Sequence, residues 1–174
     1  MEEKMDLARV QKKIAEARFF LGKMTEQERR VGGDDREPFD FYLSAFLSAA
    51  RTVDYRLRHE QAGIYPAWRT AWDARLTPQE NSLIKFMVDD RNIEVHESGS
   101  SRSVDREGVE LGIGEHRLAG GMHTVSGPLG TTVVIQTNVY NFTIDGAERK
   151  ATEACAAYLT LLQRMVVQFE IDHP

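Results

Sequence analysis

The chain holds one cysteine, Cys155, which can form no intramolecular disulfide and sits in an apolar helical pattern where a small buried thiol is expected. A reducing compartment follows. The opening residues, Met1-Glu2-Glu3-Lys4-Met5-Asp6, lack the basic-then-apolar order of a secretory signal, so export is not expected. Long hydrophobic runs are missing too. The nearest approach to one, Phe41 to Ala50 with Ser44 and Ser48 inside it, falls far short of the roughly 20 residues that span a bilayer. The chain therefore reads as cytoplasmic, with no membrane partner. Positive charge is in the minority, with 22 Lys and Arg against 27 Asp and Glu for a net charge of -5. No global field collects nucleic acid, and any RNA contact must be local.

Metal and phosphate-loop signals are also lacking. The histidines at 59, 96, 116, 123 and 173 show no HxxxH spacing and no paired carboxylates, which gives a metal site no support. No other cofactor is implied. Gly112, Gly114, Gly120, Gly121, Gly127 and Gly130 read as turn glycines, because no GK[ST] ending and no strand-to-helix context follows them. Cys155 has no sequence-local partner that would activate it.

What is present is helical periodicity. A chain of 174 residues makes one domain, 1–174, with a sizeable core. Leu7, Val10, Ile14, Ala17, Leu21 and Met24 recur at spacings of three and four within residues 3–29, predicting a first amphipathic helix. Pro38 fits the first turn of a second, whose apolar stripe is Phe39, Leu43, Phe46, Ala50, Val53 and Leu57. Between residues 61 and 76, Trp68 and Trp72 suggest a loop with one short helical turn. Thr77-Pro78-Gln79-Glu80 has the order of a capping box and starts a third long helix that runs through His96.

Residues 97–108 carry serines, glycines and charges that bury little, so they are expected to be mobile. Val109 to Leu118 is short and glycine-interrupted, whereas Thr131 to Tyr140 is rich in β-branched residues, and the two are expected to pair. Helical spacing returns from Glu148 to Phe169. The predicted fold is mainly α: an antiparallel four-helix bundle with a β-hairpin insertion, about 109–143, before the last helix.

The end of the third helix reads Arg91-Asn92-Ile93-Glu94-Val95-His96. By chance, five histidines and sixteen arginines predict about 1.4 such Arg-to-His spacings, and two occur, Arg91/His96 and Arg117/His123. Requiring Asn, Asp or His directly after the arginine cuts the expectation to about 0.16, and Arg91 alone passes. This run resembles the signature of the HEPN family, an arginine followed by a polar residue and then a histidine four to six residues on. The resemblance covers the helical bundle loosely and these six residues closely. It implies a small helical protein that binds RNA or cleaves it without a metal, as a toxin or defence component with an antitoxin partner. It also implies a homodimer that brings two motifs together. The strand-rich insertion at 109–143 departs from a minimal HEPN bundle.

Cleaving RNA at its 2′-hydroxyl needs a proton acceptor, a proton donor for the leaving oxygen, and a cation for the crowded phosphorane. His96 titrates near neutrality and suits either proton role, the Arg91 guanidinium can hold two phosphate oxygens, and Asn92 can orient the strand. Arg51 on the second helix and Lys85 on the third are candidate RNA-binding residues. On a regular helix Asn92 and His96 share a face, but Arg91 and His96 differ by about 140°. Their convergence requires fraying after Val95 or a second chain. Two other readings stay open: cations at a helix C-terminus simply complement its dipole, and the chain is a non-catalytic bundle that dimerises or binds a protein.

Overall fold

The computed structural model describes residues 7–30, 35–96, 102–118 and 121–173, and of residues 91–96, 109, 118 and 121 the backbone alone. The chain is mainly helical. Helix α1 (Ala8–Glu28) buries Val10, Ile14, Ala17 and Met24, the stripe that its sequence spacing sets up. Helix α2 (Glu37–Glu60) has Pro38 in its first turn together with Glu37 and Asp40, and Arg58 and His59 in its last. Glu37, Asp40 and Arg58 each lie at the end where the helix dipole favours their charge. Because α2 packs against α1, α4 and α5, it buries residues on nearly every turn, from Phe39 to Leu57.

The short helical turn expected between residues 61 and 76 is a nine-residue helix, α3 (Tyr65–Asp73), opened by Pro66. Trp68 and Trp72 stack on it at 5.8 Å, and the Trp68 indole N–H donates to Asp172 Oδ2 at 2.8 Å. Helix α4 (Pro78–His96) starts with the anticipated capping box. The Glu80 amide donates to Thr77 Oγ1 at 3.2 Å, and the Thr77 amide donates to Glu80 Oε2 at 2.8 Å. That second bond holds the Glu80 carboxyl below its ordinary range.

The inserted β structure is larger than one hairpin. Strands β1 (Arg102–Leu111), β4 (Val133–Ile144) and β5 (Ala147–Lys150) form an antiparallel sheet in the order β1-β4-β5. Strands β2 (Gly114–Leu118) and β3 (Gly121–Val125) make a separate antiparallel pair. The insertion thus extends well beyond 109–143. Of the segment expected to be mobile, residues 102–108 lie in β1, held by a register that runs from Arg102↔Phe142 to Leu111↔Val133. Residues 97–101 lie outside the described residues. Val109 to Leu111 do pair with Val133 to Ile135, but Gly114 to Leu118 pair with β3 instead.

Glu148 to Lys150, expected in the last helix, belong to β5. The cause is the turn before them: Asp145 at φ 52° and Gly146 at φ 77° have the paired positive φ angles of a two-residue hairpin loop. Helix α5 (Ala151–Asp172) follows and buries Cys155, Tyr158, Leu162, Met165 and Phe169. The inner half of β4 faces the helices through Tyr140, Phe142 and Ile144, which join the helical residues in one buried cluster. Its outer half carries Val133 and Val134 into solvent. No described helix is long and apolar enough to cross a membrane.

Candidate functional site

The motif sits where the core puts it. Leu83 and Met87 bury α4, and Asp90, immediately before Arg91, is buried as well. Asp90 and Glu28 both act on the Cys155 thiol, whose pKa is driven far up, first by complete burial and then by these two carboxylates. Cys155 is therefore an inert interior thiol. The backbone of α4 stays helical through His96. No fraying after Val95 closes the angular gap, and the roughly 140° offset between the Arg91 and His96 positions persists. The side chains of Arg91, Asn92 and His96 lie outside the described residues.

The other two candidate residues part company. Arg51 lines a small cleft between the helices with Ile84 and Val88 of α4 and Tyr158 of α5. This cleft holds about 20 Å³, room for a water molecule and far too little for a nucleotide. Lys85 is exposed on α4 and does not line it. Val88, on the cleft wall, lies three residues before Arg91, so the Arg91 position continues the helical stripe that Ile84 and Val88 begin.

A polar network absent from the sequence reading closes one side of this cleft. Asp54 of α2 accepts hydrogen bonds on Oδ1 from the Tyr65 hydroxyl and the Arg69 guanidinium, and Arg51 Nη1 lies 3.2 Å from its Oδ2. Arg69 is shared further, with Nε donating to Asp73 Oδ1 at 2.7 Å and Nη1 donating to the Tyr65 oxygen at 3.0 Å. Burial, then the Asp54 charge and its hydrogen bond, keep the Tyr65 phenol protonated far above its usual range. Tyr158, on the wall of the cleft, is pushed up to about 12, chiefly by burial. Arg51 thus gives part of its guanidinium to Asp54 and keeps 40% of its side chain exposed. This network can position helices.

His116 and His123, the histidines of the glycine-rich insertion, face one another across β2 and β3, and the His116 ring lies 2.7 Å from the Gly112 carbonyl oxygen. Arg117 and His123, the second Arg-to-His spacing, are on strands, not on a helix. Among the described residues no group of three or more His, Cys, Asp or Glu side chains is placed to hold a metal.

Sequence reasoning also passed over a basic groove between α1 and the end of α2. Arg9, Lys12 and Lys13 come from α1, and Tyr55, Arg56 and His59 from α2. The clue was present as a run of cations at i, i+3 and i+4 on α1, which places all three on one helical face.

No family model matches the chain, and no curated protein or solved structure does.

Proposed function

We propose that this chain is a HEPN-type RNA-binding protein that cleaves RNA without a metal, acting as a homodimer in a toxin or defence system. In this reading the four long helices α1, α2, α4 and α5 act as the family's antiparallel bundle, and the strands are an addition to it. The observation that supports it is the place of Arg91-Asn92-x-x-x-His96: the run closes a box-capped helix of a mainly helical chain, directly after the buried Asp90. His96 moves the proton, Arg91 holds the scissile phosphate, and Asn92 orients it. Lys85 and the exposed part of Arg51 add phosphate contacts. An unbroken helix keeps Arg91 and His96 of one chain on different faces, so two chains complete a site.

Incubating the protein with end-labelled RNA in EDTA tests this. Cleavage leaving a 2′,3′-cyclic phosphate is expected, because the RNA's own hydroxyl attacks. An activity abolished by EDTA, or lost equally in Arg117→Ala and Arg91→Ala, would count against it.

A second reading, a non-catalytic interaction module, draws on the apolar side chains exposed along the insertion. Ile113, Met122, Leu129, Val133 and Val134 are all substantially open to solvent.

A further inference from the structure

The chain is acidic overall, yet it gathers cations along one groove made of two adjoining hollows. Two hollows between α1 and α2, of about 320 and 460 Å³, share Arg9 and Arg56 in their walls and therefore lie side by side. Four cations, Arg9, Lys12, Lys13 and Arg56, meet two carboxylates there, Glu16 and Glu60. The groove carries +2 against a chain total of -5, which leaves -7 for everything else. Lys13 pairs with Glu16 at 2.7 Å and Arg56 with Glu60 at 3.3 Å, so both carboxylates are engaged within the groove. Arg9 and Lys12 are exposed on α1.

Beside these cations stands an aromatic platform. Tyr55 is 63% exposed, and His59 stacks behind it with ring centroids 6.1 Å apart and planes 25° from parallel. A large ring held open to solvent by a second ring one helical turn away offers a face on which a base can lie. Cations that follow a backbone, interleaved with an aromatic face, are what a single-stranded nucleic acid requires. An acidic peptide would use the cations and leave the ring idle.

We propose that the groove between α1 and the C-terminal half of α2 binds single-stranded RNA, with Arg9, Lys12, Lys13 and Arg56 on phosphates and Tyr55 stacking a base. The choice of RNA rests on the function proposed above. The groove lies on the α1 side of α2, whereas the Arg51 cleft lies between α2, α3, α4 and α5, so the two are separate sites.

The test is fluorescence anisotropy of a labelled oligouridylate with the full chain carrying His96→Ala to prevent turnover. Replacing Arg9 and Lys12 together by alanine should raise Kd at least about 10-fold and flatten the plot of log Kd against log salt by about 1.4, the share of two phosphate contacts on a single strand. Tyr55→Ala should raise Kd about 10-fold with the salt slope unchanged. Arg149→Ala, an exposed cation on β5, should leave both unchanged. Failure of the starting protein to bind overturns the groove. So does normal binding by the double variant, or a neutral Tyr55→Ala with polyglutamate competing as well as RNA. Cleavage is scored separately with the unsubstituted chain: its absence defeats the nuclease reading and leaves a positive groove result standing.

Discussion

Phe39 of α2 and Tyr140 of β4 stack with ring centroids 3.6 Å apart and planes within 2° of parallel. This pair joins the sheet to the helices. The Arg102 guanidinium of β1 lies over the same tyrosine ring at 5.1 Å and donates to both carboxylate oxygens of Asp40, one residue after Phe39. Both aromatic rings are almost fully buried, so either truncation leaves a cavity that the crossing of sheet and helix cannot close. Phe39→Ala and Tyr140→Ala should each cost about 3–5 kcal/mol in urea unfolding. Arg102→Ala removes only the outer clasp and should cost less. A loss under 1 kcal/mol for both ring truncations would show that the sheet is not anchored here.

Asp54 is the shared acceptor of Tyr65, Arg69 and Arg51. Asp54→Ala leaves the partly buried Arg69 guanidinium with Asp73 as its remaining carboxylate and the Tyr65 hydroxyl without its acceptor. A loss of about 2–3 kcal/mol is expected, because unmade bonds in a sheltered site cost more than made ones contribute. Asp54→Asn, which keeps an acceptor oxygen, should lose less. Equal losses in the two variants would point to packing and not to the hydrogen bonds.

Glu28 supplies a pH dependence. Burial raises its carboxyl above the ordinary 4.5, against the opposing pull of the Thr152 hydroxyl, which donates to Oε2 at 2.7 Å. The folded chain therefore holds a proton that the unfolded chain has released, and stability falls as pH climbs from 4.5 through the raised folded value. Glu28→Gln removes that loss while keeping an acceptor for Thr152. Its Tm should exceed that of the parent near neutral pH and converge with it below pH 4.5. Superimposable Tm profiles would contradict this.

Much of the fold could be read in advance where local chemistry governs it. Thr77 and Glu80 announce the start of α4, Pro38 that of α2, and the β-branched run Thr131 to Tyr140 announces β4, which begins at Val133 and continues to Ile144. β1 escaped because its residues, Arg-Ser-Val-Asp-Arg-Glu-Gly, are charged and small, and its order comes from a register with β4 and from Arg102 reaching Asp40. Such contacts cross 22 to 62 residues of sequence and leave no local trace. β5 had a local signal, Asp145-Gly146, but the helical spacing after it was read too far back. Of the site, the helix bearing Arg91, Asn92 and His96 was legible. The Asp54 network and the α1–α2 groove were not, because each is assembled from separate helices.

Two chains per site make a further prediction. Arg91→Ala and His96→Ala proteins, each inactive alone, should recover cleavage when mixed and allowed to exchange subunits, since one intact composite site then forms. Light scattering should report a dimer for the unsubstituted chain. A strict monomer at working concentration, or mixed variants that stay inactive, would remove the composite site.

The rate of RNA cleavage by His96→Ala, measured in EDTA beside its thermal stability, tests the central claim most directly. A polar residue at a helix end adds little to folding, so Tm should be nearly unchanged while the rate falls about 10²–10⁴-fold. Cleavage at the parental rate by a folded His96→Ala protein would contradict the assignment.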